Sequence, residues 1–325
     1  NTQAKATEYV SHLQPLHYQV GKIERKERKR RPLPPFVTST MQQDTSRQLG
    51  FSPMKTMQIA QQLYEGIDLA ELGGTVGLIT YHRTDSVTVA AIAQKEAYTY
   101  IIDNIGKDYV PIKPRVYVTK TKGAQEAHEA IRPTSVKNTP ELIRKYLSPD
   151  QFALYNLIWK RFVASQMADA VFNTVSIDII PAAGSGEPQN NAPLPVNDHQ
   201  FRASGQILKF AGFLSIYGAV VEEEKEKKDT TDSAEEESTA TKLLPEMAET
   251  EPLGLNKLIP EQHFTEPPPR YNEASLIKTL EKNGIGRPST YAPTISTILD
   301  RGYCEIKERN FYLTGLVRTV NNLME

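Results

Sequence analysis

The chain has 325 residues, more than one compact core accommodates, so two or three domains are expected. Its composition, 39% hydrophobic and 24% charged, is that of a soluble globular protein, and its single cysteine, Cys304, excludes both a disulfide framework and a cysteine-based zinc site. No apolar run approaches the ~20 residues of a membrane span, and NTQAKATEYV lacks the charged start and apolar run of a signal peptide, which points to a cytoplasmic protein without a membrane partner. The formal net charge of -1 argues by itself against an obligate nucleic-acid binder. Its distribution argues otherwise. The charged, low-complexity run Glu222 to Glu237 reads as a mobile loop whose surplus of acid masks basic surface such as Arg25 to Arg31, RKERKRR. That basic run also fits a solvated linker beside a proline-rich turn.

In chain order, Thr7 to Leu13 reads as the end of a helix. HYQVGKIERKERKRR alternates as a strand does, and PLPP turns the chain. From Thr40 to about Met167 the period is helical. STMQQDTSRQLGF and SPMKTMQIAQQLYEG are consecutive helices, each with a serine at or near its start as N-cap. ELGGTVG is a glycine-rich turn feeding Leu78-Ile79-Thr80-Tyr81, and helices return at Val87 to Ile105, Pro140 to Leu147 and Pro149 to Gln166. After Ala168 the period becomes two, so VFNTVSIDII, HQFRASGQILKFAGFLSIYG and NKLIPEQHF are predicted strands, separated by loops 181–198 and 222–252. NEASLIKTLEKNG and Ser289 to Arg301 are helices again, and YCEIKERNFYLT is a hairpin; together they suggest a winged-helix-like unit. The order β, α, β, α predicts an α+β multidomain protein, with the first helical block inserted into one β domain.

Three segments carry chemistry. GLITYHRTDS, Gly77 to Ser86, places Arg83 two residues after Tyr81. A tyrosine attacking a phosphodiester needs a nearby cation for the developing charge, and a guanidinium offers a rigid fork to phosphate oxygens. Taken alone, Tyr-x-Arg equally fits a structural tyrosine. QEAHEAIRPT, Gln125 to Thr134, sets His128 between two glutamates, as a donor to phosphate or a proton relay, or simply as a packed residue of a helical region. Zinc ligation by His128 with Glu126 or Glu129 is disfavoured, because no second histidine stands at zinc-type spacing. NGIGRPSTYAPTISTILDRGY, Asn283 to Tyr303, has glycines that admit close backbone approach and a helix start that attracts phosphate; a tight turn between packed helices fits it as well.

These segments, together with Pro34 to Gly66 and PPPRYNEASLIKTLEKNGIGRPSTYAPTI, resemble the signature blocks of bacterial type IA DNA topoisomerases, in the family's order and at similar spacing. The resemblance implies Tyr81 as the nucleophile, with Arg83 and His128 completing the catalytic set. It implies Asp85, Arg132, Arg287, Ser289, Thr290 and Arg301 as DNA-binding residues. It implies a β-rich arch from residues 1–40 and 168–265 with its acidic loop at 222–252, a helical nucleophile domain over 41–167 and part of a DNA-groove domain over 266–325. The expected partners are single-stranded or negatively supercoiled DNA in the nucleoid, and the expected reaction is ATP-independent relaxation through a 5′-phosphotyrosyl link.

Two departures are visible. The position after the nucleophile is commonly methionine in the family and here is His82, which is expected to face outward; beside an anionic site it would modulate activity with pH. The family's Toprim domain, with its general-acid glutamate and magnesium-binding Asp-x-Asp, and its cysteine-rich zinc ribbons have no counterpart in these residues. The chain therefore reads as a fragment, with Mg²⁺ held by a partner Toprim domain and no metal or cofactor site of its own. The rival readings are a non-catalytic single-stranded-DNA-binding module and a topoisomerase III-like decatenase.

Overall fold

The computed structural model describes residues 2–70, 74–118, 128–182, 199–218 and 243–324. The acidic run Glu222 to Glu237, most of loop 181–198, and Gln125 and Glu126 lie outside the described residues. In chain order the elements are α1 (Gln3–Leu13), β1 (Tyr18–Arg30), α2 (Thr38–Gln48), α3 (Pro53–Glu65), β2 (Ile67–Asp68), β3 (Thr75–Val76), α4 (Ala91–Asn104), α5 (Pro140–Ile143) and α6 (Pro149–Ser165). There follow β4 (Ala170–Pro181), β5 (Phe201–Phe210), α7 (Leu214–Tyr217), β6 (Pro252–Leu253), α8 (Glu273–Lys282), α9 (Tyr291–Asp300), β7 (Cys304–Lys307), β8 (Asn310–Leu313) and α10 (Gly315–Met324). Helices and antiparallel sheets together make an α+β fold.

The described residues cluster into two compact units. One comprises Asn1–Arg30, Ala170–Ala211 and Ala219–Pro267; the other comprises Arg31–Asp169, Gly212–Gly218 and Pro268–Glu325. The first is built on a sheet in the order β5-β4-β1-β6. β1 and β4 pair antiparallel from Tyr18↔Pro181 to Arg30↔Ala170, with a register shift between Val20 and Ile23. α1 closes one end of the sheet: Leu13, Leu16 and Tyr18 form a small core, and the Tyr18 hydroxyl donates to the Leu13 carbonyl at 2.7 Å. NKLIPEQHF makes no strand. Ile259 and Phe264 are 68% and 78% exposed, and the sheet's edge is taken instead by Pro252 and Leu253, opposite Gln19 and Tyr18.

The second unit is helical. α3 begins as its sequence predicts, with the Ser52 hydroxyl accepting from the Lys55 N–H and Pro53 in the first turn. α2 does not use its serine as a cap: its N-cap is Val37, and the Ser39 hydroxyl donates to Glu281 at 2.6 Å. The cap role falls to Thr40, whose hydroxyl accepts from the Val37 N–H at 3.0 Å. α4 starts at Ala91, later than the predicted Val87, because the Thr88 carbonyl is held by the Ala130 N–H at 2.8 Å and keeps that stretch out of the helix. The long predicted strand through residue 218 breaks at Gly212 (φ +49), where any Cβ would lie 2.3 Å from the Asp169 carbonyl oxygen. α8, α9 and the β7–β8 hairpin share a core of Ile277, Tyr291, Ile295 and Phe311. α10 has no counterpart in the sequence reading.

The segment Gly212–Gly218 is tied in by a buried cation. Arg161 on α6 donates to the Pro34 carbonyl at 2.7 Å, to Asp44 at 3.3 Å and to the Tyr217 hydroxyl at 3.1 Å, and its guanidinium lies over the Phe36 ring. Removing one member of such a network strands the others away from water, a loss of roughly 3–5 kcal/mol. Arg161→Ala is therefore expected to lower the stability of this unit by about 3 kcal/mol. Urea denaturation followed by the fluorescence of Trp159, the chain's single tryptophan, measures it; an unshifted midpoint would remove the network's structural role.

Candidate active site

All of the sequence-predicted site residues fall in the helical unit. The segment that carries Tyr81 is held from both sides. The Leu78 N–H donates to the Leu63 carbonyl at the end of α3 (2.7 Å), and Gly77 permits this approach, since a Cβ there would lie 2.7 Å from the Tyr64 carbonyl oxygen. Leu78 and Ile79 are wholly buried, a hold of roughly 1.5–3 kcal/mol each. On the other side runs the His128–Thr134 segment. Ile79 bridges Pro133, the Thr80 N–H donates to the Arg132 carbonyl at 2.9 Å, and the Thr80 hydroxyl donates to the Ala130 carbonyl at 2.7 Å. Neither segment is helical, so His128 lies on non-helical backbone.

From Tyr81 to Ser86 burial alternates: Tyr81 and Arg83 are exposed, Asp85 is half-buried, and His82, Thr84 and Ser86 are buried. The backbone bends at His82 and Arg83, and the Tyr-x-Arg spacing leaves phenol and guanidinium both open to solvent. The alternation is locked by Thr38 at the start of α2. Its buried hydroxyl accepts the Thr84 N–H at 2.9 Å and reaches the His82 and Thr84 carbonyls at 2.8 and 3.0 Å, gripping the chain on both sides of Arg83. The Tyr81 ring is 42% exposed; the Tyr64 ring stands 5.4 Å away and the His128 ring 6.1 Å.

His82 does not face outward. It is 0% exposed, packed against the Tyr64 and Tyr81 rings, and neither ring nitrogen has a hydrogen-bond partner among the described residues. Burial first, then repulsion from Arg83, pushes its pKa down to about 4, against a small opposing pull from Glu65. No local signal marks this: the backbone bends at His82 and Arg83, and the Thr38 contact that holds the bend is distant in the chain.

Arg83 also lines a cleft of about 400 Å³ between α3 and α9, with Met54, Met57, Gln58 and Glu65 on one wall and Pro288, Ser289 and Ala292 on the other. Ser289 is thereby brought to the same opening as Arg83. Thr290 is engaged in its own turn: its hydroxyl accepts the Arg287 N–H at 2.8 Å and contacts the Arg287 carbonyl at 3.2 Å. Arg287 is exposed beside it. Arg301 is exposed too, but at the far end of α9, about 15 Å along the helix. Arg132, also predicted as a DNA contact, lies largely inside. It is 9% exposed, and its guanidinium is taken up by Glu129 (2.6 and 2.9 Å) and the Pro133 carbonyl (3.0 Å), so it braces the His128 segment from inside. Thr38, Tyr64 and Thr80 were not singled out in the sequence, since each acts through a contact distant in the chain. Among the described residues no three His, Cys, Asp or Glu side chains are grouped to hold a metal ion.

The profile of one protein family, DNA topoisomerase, matches residues 1–325. DNA topoisomerase 1 of Xylella fastidiosa (strain 9a5c) is 47% identical over 324 residues, covering 100% of this chain and 37% of that protein. DNA topoisomerase 1 of Rickettsia felis is 44% identical over 315 residues, covering 97% of this chain and 37% of the relative. The Helicobacter pylori protein of the same name is 46% identical over 307 residues, covering 94% and 37%. The structure of full-length topoisomerase I from Thermotoga maritima matches with a TM-score of 0.75 at 34% identity, covering 100% of this chain and 47% of that one. The chain thus spans about 37% of the length of the curated relatives it matches.

The burial of His82 has a pH signature. Its folded pKa of about 4 lies below the ordinary histidine value of 6.5, so on acidification the unfolded chain takes up a proton first. Stability is unaffected above that value and is lost as pH falls from 6.5 towards 4, by up to about 3 kcal/mol. His82→Met is expected to abolish this component. Denaturation midpoints compared at pH 7 and pH 4.5 test it, and equal acid losses in the two proteins would refute it.

Proposed function

The chain belongs to the bacterial type IA DNA topoisomerase family, and we propose that it carries the DNA-cleaving tyrosine of such an enzyme, with Tyr81 as nucleophile. The observation that carries this reading is the shared exposure of Tyr81 and Arg83, with the His128 ring 6.1 Å from the phenol ring. In the proposed step the Tyr81 phenolic oxygen attacks a phosphodiester in a single strand. A Tyr–O–P bond forms as the P–O3′ bond breaks, the phenol loses its proton, and the departing 3′-oxygen gains one. The product is a 5′-phosphotyrosyl link and a free 3′-hydroxyl. The reverse step reseals the strand, and because the link keeps the bond's energy no ATP is needed.

Each neighbouring residue has a duty in this scheme. Arg83 neutralises charge on the non-bridging oxygens; a guanidinium offers donors only and relays no proton. His128 holds a proton at an imidazole nitrogen beside the phenol and exchanges it with the reacting oxygens. The cleft between α3 and α9 receives the strand, with Ser289 at its wall and the exposed Arg287 two residues before it as phosphate contacts. The sheet unit is read as the arch and the helical unit as the bearer of the nucleophile. We take the full reaction to be relaxation of negatively supercoiled DNA; decatenation in the manner of topoisomerase III uses the same chemistry.

A second reading, a module that binds single-stranded DNA without cutting it, describes this chain by itself. It follows if the metal-binding carboxylates belong to the family's Toprim domain, as the resemblance implies. The two readings are separated by supplying a type IA Toprim domain. The purified chain is expected to form no covalent DNA adduct, with or without Mg²⁺, and to form one when that domain is added. Adducts from the chain alone at a comparable rate would overturn the need for the added domain.

The nucleophile itself is tested by Tyr81→Phe, which removes one oxygen and keeps the ring. Adducts are expected to vanish, while affinity for a single-stranded oligonucleotide stays within about twofold. An adduct trapped on the Phe variant would place the nucleophile elsewhere.

A further inference from the structure

Tyr64 takes no part in the step above, yet it is built against the nucleophile. It is the penultimate residue of α3, 40% exposed, and its ring meets the Tyr81 ring at 5.4 Å and an interplanar angle of 63°. Its backbone cannot drift from the Tyr81 segment. The Leu78 N–H is bonded to the neighbouring Leu63 carbonyl, and bare Gly77 lies against Tyr64's own carbonyl, where a Cβ would come within 2.7 Å. The buried His82 ring, 5.9 Å from Tyr64 and 5.6 Å from Tyr81, packs against both rings. The Tyr64 hydroxyl has no hydrogen-bond partner among the described residues, so what Tyr64 presents to Tyr81 is its ring.

An exposed tyrosine turns freely about two side-chain torsions, whereas attack on phosphorus demands one orientation at roughly 3–3.5 Å. Tyr81 has solvent on one side and needs a wall on the other. His128 cannot be that wall alone if it exchanges protons with the reacting oxygens. We propose that Tyr64 is a positioning residue for the nucleophile: its ring, fixed by the α3–Gly77 contact, restricts Tyr81 to the orientation that faces Arg83 and His128. This inference rests on the reading of Tyr81 as nucleophile. Tyr64 acts through Tyr81 and touches no reacting atom.

The test uses the chain with a type IA Toprim domain and a single-stranded oligonucleotide, under conditions where the wild type forms adducts. Tyr64→Ala and Tyr64→Leu are expected to slow single-turnover adduct formation about 10- to 100-fold, with oligonucleotide Kd within about twofold of wild type. Tyr64→Phe, which keeps the ring, is expected to restore the wild-type rate. Trp159 fluorescence on denaturation confirms that each variant is folded. Three outcomes overturn the proposal. An unchanged rate in the Ala and Leu variants removes the positioning role. A loss of binding that accounts for the loss of rate makes Tyr64 a contact for DNA. Failure of the Phe variant makes the hydroxyl the agent. An adduct on Tyr81→Phe run in parallel would instead sink the assignment of the nucleophile, which keeps the two failures distinct.

Discussion

The Thr38 hydroxyl touches the chain on both sides of Arg83, accepting from the Thr84 N–H and reaching the carbonyls of His82 and Thr84. An isolated hexapeptide has no reason to hold one conformation. Here a buried side chain on a different element supplies its backbone with partners, which a buried backbone must find somewhere. Once the stretch from Tyr81 to Ser86 is held this way, the placement of its side chains follows. The phenol and the guanidinium share the solvent side, the imidazole of His82 goes inside, and Arg83 reaches the opening between α3 and α9. Thr80 does the same one turn of the pleat earlier, fastening the segment to the strand that presents His128.

The polar groups inside this unit are of two kinds. Arg132 and Arg161 are buried with their nitrogens matched by carboxylates and carbonyls, so they brace the parts around them. His82 is buried without a match and stays neutral because charging it there is unfavourable. The braces sit behind the site, in the His128 segment and under α2 and α6, and the unmatched imidazole sits directly beneath the nucleophile candidate. Rigidity is therefore concentrated around the reacting face, where a small displacement of the phenol would matter most.

Much of this was legible from local pattern. Periodicity located α3 and α8, each of which buries one face, and strong end signals such as Ser52–Pro53 and Ser148–Pro149 marked α3 and α6. The Tyr-x-Arg spacing was readable as a candidate site; the burial of His82 was not, since it follows from a bend held by Thr38. The role of Arg132 was also within reach, since Glu129 stands three residues before it. What no window of sequence contains is the partner that decides a conflict. Ser39 is a fair cap by type, but Glu281 claims its hydroxyl; NKLIPEQHF alternates, but no sheet face is there to cover it. Thr38, Tyr64 and Gly77 matter through contacts made after the chain has folded back on itself.

The register of β1 and β4 has a consequence for the order of events during synthesis. Arg30 pairs with Ala170, so the whole stretch Arg31–Asp169 is translated between the two strands of one ladder. β1 leaves the ribosome first and must persist as a lone strand until β4 is made, with its N–H and C=O groups open to any other extended chain. Unpaired strand edges of that sort template aggregation, and lysine and arginine are the residues that discourage it. The basic residues at the end of β1, Lys26 to Arg30, are placed to discourage such pairing while the strand waits for β4.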